Sequence, residues 1–146
     1  MSTDTTPAIA FQVVVDCADP YRLARFWSEA IHYEIENNND QILALIDQGL
    51  VTRDETMDID GRLFFSTAVA INDPAGERPR LLFQVVPEAK TVKNRVHLDL
   101  RFPPESHPAE VERLTALGAT WLWNGQQGPH TWVTMADPEG NEFCVS

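Results

Sequence analysis

"KNRVHLDLRF" (93–102) alternates strictly, with Val96, Leu98, Leu100 and Phe102 on one side of an extended chain and Arg95, His97, Asp99 and Arg101 on the other. This predicts a strand over 94–102 whose apolar face is buried. The ionisable face is either plain wet surface or the lining of a site. The stretch is also where a pattern restarts, because one strand, one helix and three strands precede it and the same order follows.

On the N-terminal side, "AFQVVVDCADP" (10–20) belongs to a strand running from Ile9 to about Asp16. Asp19 then stands where a helix N-cap belongs, with Pro20 at the first helical position. The helix is expected over Pro20 to Ile31, burying Leu23, Phe26, Trp27 and Ala30. "HYEIE" (32–36) reads as a short strand, "NNND" (37–40) as a break, and "QILALIDQG" (41–49) as a short helix ended by Gly49. Residues 50–61 read as an irregular polar loop, before strands at 62–71 and 79–86 around the turn "NDPAGE" (72–77). After "PPES" (103–106) a helix is expected over 107–117, from Ser106 as cap to Gly118 as stop. Strands at 119–123, 130–136 and 141–146 follow, the last two joined by "DPEG" (137–140).

The two halves superpose on paper: "FQVVVD" (11–16) on "VHLDLR" (96–101), and "LFQVV" (82–86) on "EFCVS" (142–146). Gln84 lies 72 residues beyond Gln12, whereas Cys144 lies 47 beyond His97, so the first half is longer by 25. Residues 37–61 supply an insertion of that size. The expectation is an α+β fold of two tandem βαβββ modules in a single domain, 1–146, with module one at 8–88 and module two at 91–146. The insertion is either a lid over a site or a cover for an edge of the first sheet.

Bulk properties exclude several functions. The chain has 146 residues and a net charge of −11, from 22 acids against 11 bases, which argues against a nucleic-acid partner. No apolar run is long enough for a membrane span, and "MSTDTTPA" lacks the basic and apolar regions of a secretory leader. Two cysteines, Cys17 and Cys144, make no disulfide framework, so the cytoplasm is the default compartment.

The segments "VVVDCADPYRLARFW" (13–27), "KNRVHLDL" (93–100), "VERLTALGAT" (111–120) and above all "MADPEGNEFCV" (135–145) resemble the vicinal oxygen chelate superfamily, with its glyoxalases, extradiol dioxygenases, fosfomycin-resistance enzymes and bleomycin-binding proteins. The resemblance covers essentially the whole chain. It implies that each module forms a curved four-stranded sheet with helices on the convex side, that the concave faces enclose a cavity, and that a homodimer forms. Arg95, His97, Asp99 and Arg101 would then point to that cavity or its rim.

Metal-dependent members of that superfamily place ligands on the first and last strands of each half. The resemblance carries these positions to Gln12, Gln84, His97 and Cys144, where a glutamate is usual at the last and common at Gln84. Neutral donors suit a hard divalent ion poorly, and Glu142, two residues from Cys144, is the nearest carboxylate on that face. No cofactor is therefore expected. A divalent metal held by Gln12, Gln84, His97 and Glu142 is the lesser alternative, and a soft ion on Cys144 and His97 alone would be weakly held.

Three functions remain. The first is metal-independent binding of a small organic molecule, its reaction unassigned, with His97 as general base, Asp99 or Gln12 orienting its ring, and Arg95 stabilising an oxyanion. Gln12, Gln84, Cys144, Glu142 and Trp27 are candidate ligand contacts. The second is a metal-dependent lyase or isomerase, and the third is sequestration of the bleomycin-resistance kind. Cys144 reads first as a small buried hydrophobe. The four tryptophans read as core or interface, with one or two walling a cavity, and His32 and His130 as surface.

Overall fold

In the computed structural model, which describes residues 4–146, the first strand β1 (Val13–Cys17) leads into helix α1 (Pro20–Ala30). Asp19 caps the helix by accepting from the backbone N–H of Arg22 at 3.2 Å. The short strand β2 (Glu34–Ile35), helix α2 (Asn39–Asp47) and the hairpin β3 (Thr56–Ile59) and β4 (Arg62–Phe65) come next. Strands β5 (Ala68–Asn72) and β6 (Leu81–Val85) complete the first half. The second half repeats the order with β7 (Asp99–Leu100), α3 (His107–Leu117), β8 (Thr120–Gln127), β9 (His130–Ala136) and β10 (Glu142–Val145).

The two sheets have matching orders, β1-β6-β5-β2 and β7-β10-β9-β8. In each, the first strand runs parallel to the last and the middle pairs are antiparallel. This is the expected pair of βαβββ modules. Leu23, Phe26, Trp27, Ile71 and Phe83 from the first half and Leu114, Met135, Phe143 and Val145 from the second share one buried cluster. Trp27 lies at its centre, with ring centroids 5.3 Å from Phe26 and 5.0 Å from Phe143. No helix among the described residues is long and apolar enough to cross a membrane.

Three local expectations are corrected. The strand expected over 94–102 is laddered only at Asp99–Leu100, with flanking bonds at Leu98 and Phe102. Its partner β10 begins at Glu142, whose backbone N–H and C=O are taken by the side chain of Asn94, so the ladder does not extend before Leu98. Val96 is therefore 77% exposed, while Leu98, Leu100 and Phe102 pack on the core. Likewise β1 starts at Val13 rather than Ile9, because its ladder with β6 begins at the Val13–Leu81 pair, and Ile9 and Phe11 stand exposed.

The third correction concerns the insertion. Residues 50–61 contain β3, and the strand expected over 62–71 divides into β4 and β5. The β3–β4 hairpin and α2 sit on the helix side: Phe64 packs on Tyr21 of α1 at 5.1 Å, and Asn39 accepts from the N–H of Leu63. Two clefts described below are not lined by residues 37–66, so this segment is not a lid over either of them.

The modules are tied together at the turn before β10. The Glu139 carboxylate accepts from the N–H groups of Ala18 (2.7 Å) and Asp19 (2.9 Å), just ahead of α1. Arg113 on α3 donates to the carbonyls of Glu29 and Ala30 at the end of α1. Glu139→Ala is expected to cost about 1–2 kcal/mol through loss of two charge-assisted bonds, and Glu139→Gln about half of that. Urea unfolding midpoints check this, and a midpoint unchanged in both variants would remove the turn from the account.

Two carboxylates respond to pH in opposite senses. Hydrogen bonding from Arg80 holds Glu36 below the usual glutamate range. Its contribution is complete above that range and is lost as pH falls through the lowered value. Burial pushes the Asp137 carboxyl up despite its bonds from Trp27 and Asn141, so its contribution is present at low pH and lost as pH rises through the raised value. Glu36→Gln should therefore flatten the acid limb of the stability–pH curve. An acid limb as steep as that of the parent protein would refute the assignment.

Candidate functional site

Strand alternation and one bulge build a cavity of about 360 Å³ on the inner face of the second sheet. Glu142, Cys144 and Ser146 present themselves from β10 and its end, Trp132 and Thr134 from β9, and His97 and Asp99 from β7 and the segment before it. On β8 the parity changes. Trp121 pairs with Met135 and Trp123 with Thr134, so Leu122 is an extra, bulged residue. In an unbulged ladder Leu122 would pair with Thr134 and Trp123 would lie opposite Val133, facing away from the cavity; the bulge re-aims it inward.

Gly125 is the second device on β8. It pairs with Trp132, and a Cβ at this position would overlap the Trp132 indole. The missing side chain lets the indole lie against the β8 backbone. His130, read from sequence as a surface residue, is exposed but borders the cavity, its ring 5.5 Å from that of Trp132.

His97 Nε2 lies 3.1 Å from Asp99 Oδ1, with both side chains about half exposed. Cys144 is buried beside them, its Sγ 3.5 Å from Thr134 Oγ1. One ligand-capable atom from each of His97, Asp99 and Cys144 lies within 4.8 Å of the other two. Burial, followed by the Asp99 carboxylate, raises the Cys144 thiol above its ordinary range. Cys17 lies outside this cavity, and burial and the Glu139 carboxylate push its thiol up to about 12. Glu142 is held at the cavity's edge: Lys90 Nζ is 3.6 Å from its carboxylate, and its N–H donates to Asn94 Oδ1. Burial opposes ionisation of Glu142, but the N–H bonds and nearby Lys90 and Lys93 bring its carboxyl below the usual range.

The remaining candidates lie elsewhere. Arg95 lines a second, larger cleft of about 780 Å³ between the modules, as do Asp16 and Gln84, and it does not line the cavity beside His97 and Asp99. Gln12 is drawn to Arg80, which donates to it at 2.8 Å and forks onto Glu36. It orients no histidine. Trp27 is 4% exposed, donates to Asp137 in the core and borders only the larger cleft, whereas the tryptophans lining the smaller cavity are Trp123 and Trp132. Of the four-residue metal set, Gln84, His97 and Glu142 all border the larger cleft, His97 and Glu142 bordering the smaller cavity as well, but Gln12 lies outside both.

The ladders explain the misplacement of Gln12. Asp16 lies opposite Gln84 and Asp99 opposite Cys144, so with Gln84 matched to Cys144 the counterpart of Asp99 is Asp16. The paper superposition is two residues out of register, a slip that preserves every face.

A family model described as a glyoxalase-like domain matches residues 12–146. The chain belongs to this family. It is thereby a member of the vicinal oxygen chelate superfamily. No curated protein sequence matches it. Solved structures with a similar fold include a glyoxalase/bleomycin resistance protein/dioxygenase family enzyme from Burkholderia phytofirmans PsJN, at 14% identity over 92% of this chain and 94% of that one, with a TM-score of 0.62. Another is a point mutant of the fosfomycin resistance protein FosX from Listeria monocytogenes, complexed with Mn(II) and 1S,2S-dihydroxypropylphosphonic acid, at 11% identity over 96% of this chain and 92% of that one, with a TM-score of 0.64. The hypothetical protein SA1046 from S. aureus matches at 12% identity over 94% and 95%, with a TM-score of 0.59. At these identities the likeness is one of fold.

Gly125→Ala tests how the wall is built. It is expected to displace the Trp132 indole and change the tryptophan emission while leaving the far-ultraviolet circular dichroism intact. Unchanged emission would mean that the indole does not depend on the missing side chain.

Proposed function

We propose that this glyoxalase-like protein binds a small organic molecule in the cavity of its second module. The apolar part of the ligand lies against Trp123 and Trp132, and its polar end meets His97 and Asp99. The observation that carries the reading is the convergence, on one concave face, of two aromatic walls and one hydrogen-bonded ionisable pair. Ligand sites are typically concave, largely apolar and furnished with a few polar groups that fix orientation. The cavity volume falls at the small end of the usual range, which favours a compact ligand over an extended one.

Of the trio expected to handle the ligand's reactive group, His97 and Asp99 stay in the proposal and Arg95 leaves it. Cys144 and Thr134 form the floor, and Glu142 the rim. The proposed binding needs no hard divalent ion, since the position where such relatives carry a carboxylate holds Cys144 and Gln12 is occupied by Arg80. The manganese and phosphonate seen with FosX belong to that protein.

A fragment screen of aromatic and aliphatic acids, phenols and aldehydes, read by tryptophan fluorescence, tests the reading. Hits should bind the parent protein and lose about tenfold or more in affinity in Trp132→Ala and in His97→Ala, equivalent to at least about 1.4 kcal/mol each. Binding that both substitutions leave untouched would place the ligand elsewhere, in the larger cleft first of all.

A further inference from the structure

A groove across one face of a strand is lined by every second residue. The larger cleft is lined instead by consecutive residues, 13–18 along β1 and 94–98 at the start of the second module. It therefore runs along the edges of two strands. Both edges are open, because β1 is the outermost strand of the first sheet and β7 the outermost strand of the second. On β1, Val13 donates its N–H to the Arg80 carbonyl and Cys17 accepts from the N–H of Val86. The odd-numbered residues thus bond toward β6, and Val14 and Asp16 turn their N–H and C=O groups the other way. In the second sheet Leu98 accepts from the N–H of Cys144, which leaves the backbone of His97 turned away from β10.

Side chains occupy part of this open backbone. Ala18, next in the outward series on β1, gives its N–H to the Glu139 carboxylate. Across the cleft the Asn94 side chain bonds both the N–H and the C=O of Glu142. The stretch left open is that of Val14 and Asp16. An unpaired strand edge of this kind is a template for another extended chain.

We propose that the larger cleft takes an extended peptide as an added strand on β1, and that this peptide alternates basic and apolar residues. Its length is that of β1, five residues. The alternation follows from what flanks the edge. On one side lie Val13, Val15 and Cys17, packed on or within the core cluster. The other side carries Val14 and Asp16, with Gln84 opposite Asp16 on β6. Successive side chains of an added strand go to these two sides in turn, so every second one meets apolar surface and the others meet Asp16. Charge sets the sign of those others. Five carboxyl groups line the cleft against Lys90 and Arg95, and Lys90 is already engaged by Glu142 at 3.6 Å. The net charge of −11 adds to the attraction for a cationic partner. Main-chain bonds to Val14 and Asp16 supply affinity for any extended chain, and the two flanks supply the selection. A second copy of this chain fits less well, since its exposed segment ahead of β1, residues 8–12, contains no basic residue. This site and the small-molecule cavity of the second module share only His97 and Glu142 at their borders.

The probe is the fluorescein-labelled hexapeptide Lys-Val-Lys-Val-Lys-Val, titrated with the full chain and followed by anisotropy. Saturation at one equivalent is expected, with slowed hydrogen exchange of the Val14 and Asp16 N–H groups in the complex. A peptide of the same composition with its lysines and valines in separate blocks should bind about tenfold or more weakly, and so should one with methylated backbone nitrogens. Glu-Val-Glu-Val-Glu-Val should not saturate. Asp16→Asn should weaken binding of the lysine peptide by about tenfold at low salt. Val14→Pro removes an outward N–H while sparing the ladder to β6, and should abolish binding with the circular dichroism unchanged.

Equal binding of the alternating and blocked peptides would mean attraction of charge alone and would overturn the proposal. Undiminished binding to folded Val14→Pro, or exchange at Val14 and Asp16 that the peptide does not slow, would overturn it as well. If Val14→Pro does not fold, the methylated peptide makes the same test from the other strand. A dimer in sedimentation velocity that Val14→Pro dissociates, with no uptake of the peptide, would give the edge to a second copy and refute the peptide.

Discussion

Asp137 sits buried at the turn between β9 and β10, and the rest of the site depends on how it is satisfied. Its carboxylate accepts from the indole N–H of Trp27 at 3.1 Å and from the backbone N–H groups of Glu139 and Asn141 at 2.9 and 3.0 Å. A buried carboxylate is tolerated only when its oxygens are so occupied. These bonds fix where the turn ends and therefore where β10 begins. That starting point sends Glu142, Cys144 and Ser146 to the inner face and Phe143 and Val145 to the core. The same turn projects Glu139 onto the backbone ahead of α1, so one short loop sets the register of the second sheet and holds the first module against it.

Although the modules share a topology, their inner faces carry different chemistry. The second brings together a histidine, an aspartate, a thiol and two tryptophans. The first offers Val14, Asp16, Leu82 and Gln84 at ladder positions on the same face. Internal duplication conserves the scaffold because backbone pairing and a shared core require it, while side chains on a concave face are free to diverge. The extra segment of the first half follows the same logic: by packing α2 and the β3–β4 hairpin on the helix side, it buries Ile42, Leu63 and Phe64 and leaves both clefts open.

Period-two alternation and helix punctuation were enough to read the order of elements and the two modules, and to place His97 with Asp99 and Glu142 with Cys144 on shared faces; that these faces turn toward a cavity was implied only by the family resemblance. Element order and shared faces are local properties: Asp19 and Pro20 start a helix and Gly118 ends one whatever lies across the sheet. The aromatic wall was not legible. Trp27, Trp121, Trp123 and Trp132 are equivalent as letters, and only the bulge at Leu122 and the bare backbone of Gly125 select Trp123 and Trp132. A glycine inside an aromatic-rich strand was the one available signal.

Except beyond the bulge on β8, the sequence by itself determined which strand residues share a face, because successive side chains alternate by covalent geometry. The tertiary structure alone decided which residues meet. A two-residue slip between strands leaves every face unchanged, so alternation could not tell that Asp16 rather than Val14 matches Asp99, or that Gln12 would be taken by Arg80. Register is settled by turns, bulges and buried hydrogen bonds between residues distant in the chain, and the meeting of His97, Asp99 and Cys144 on one concave face is its consequence.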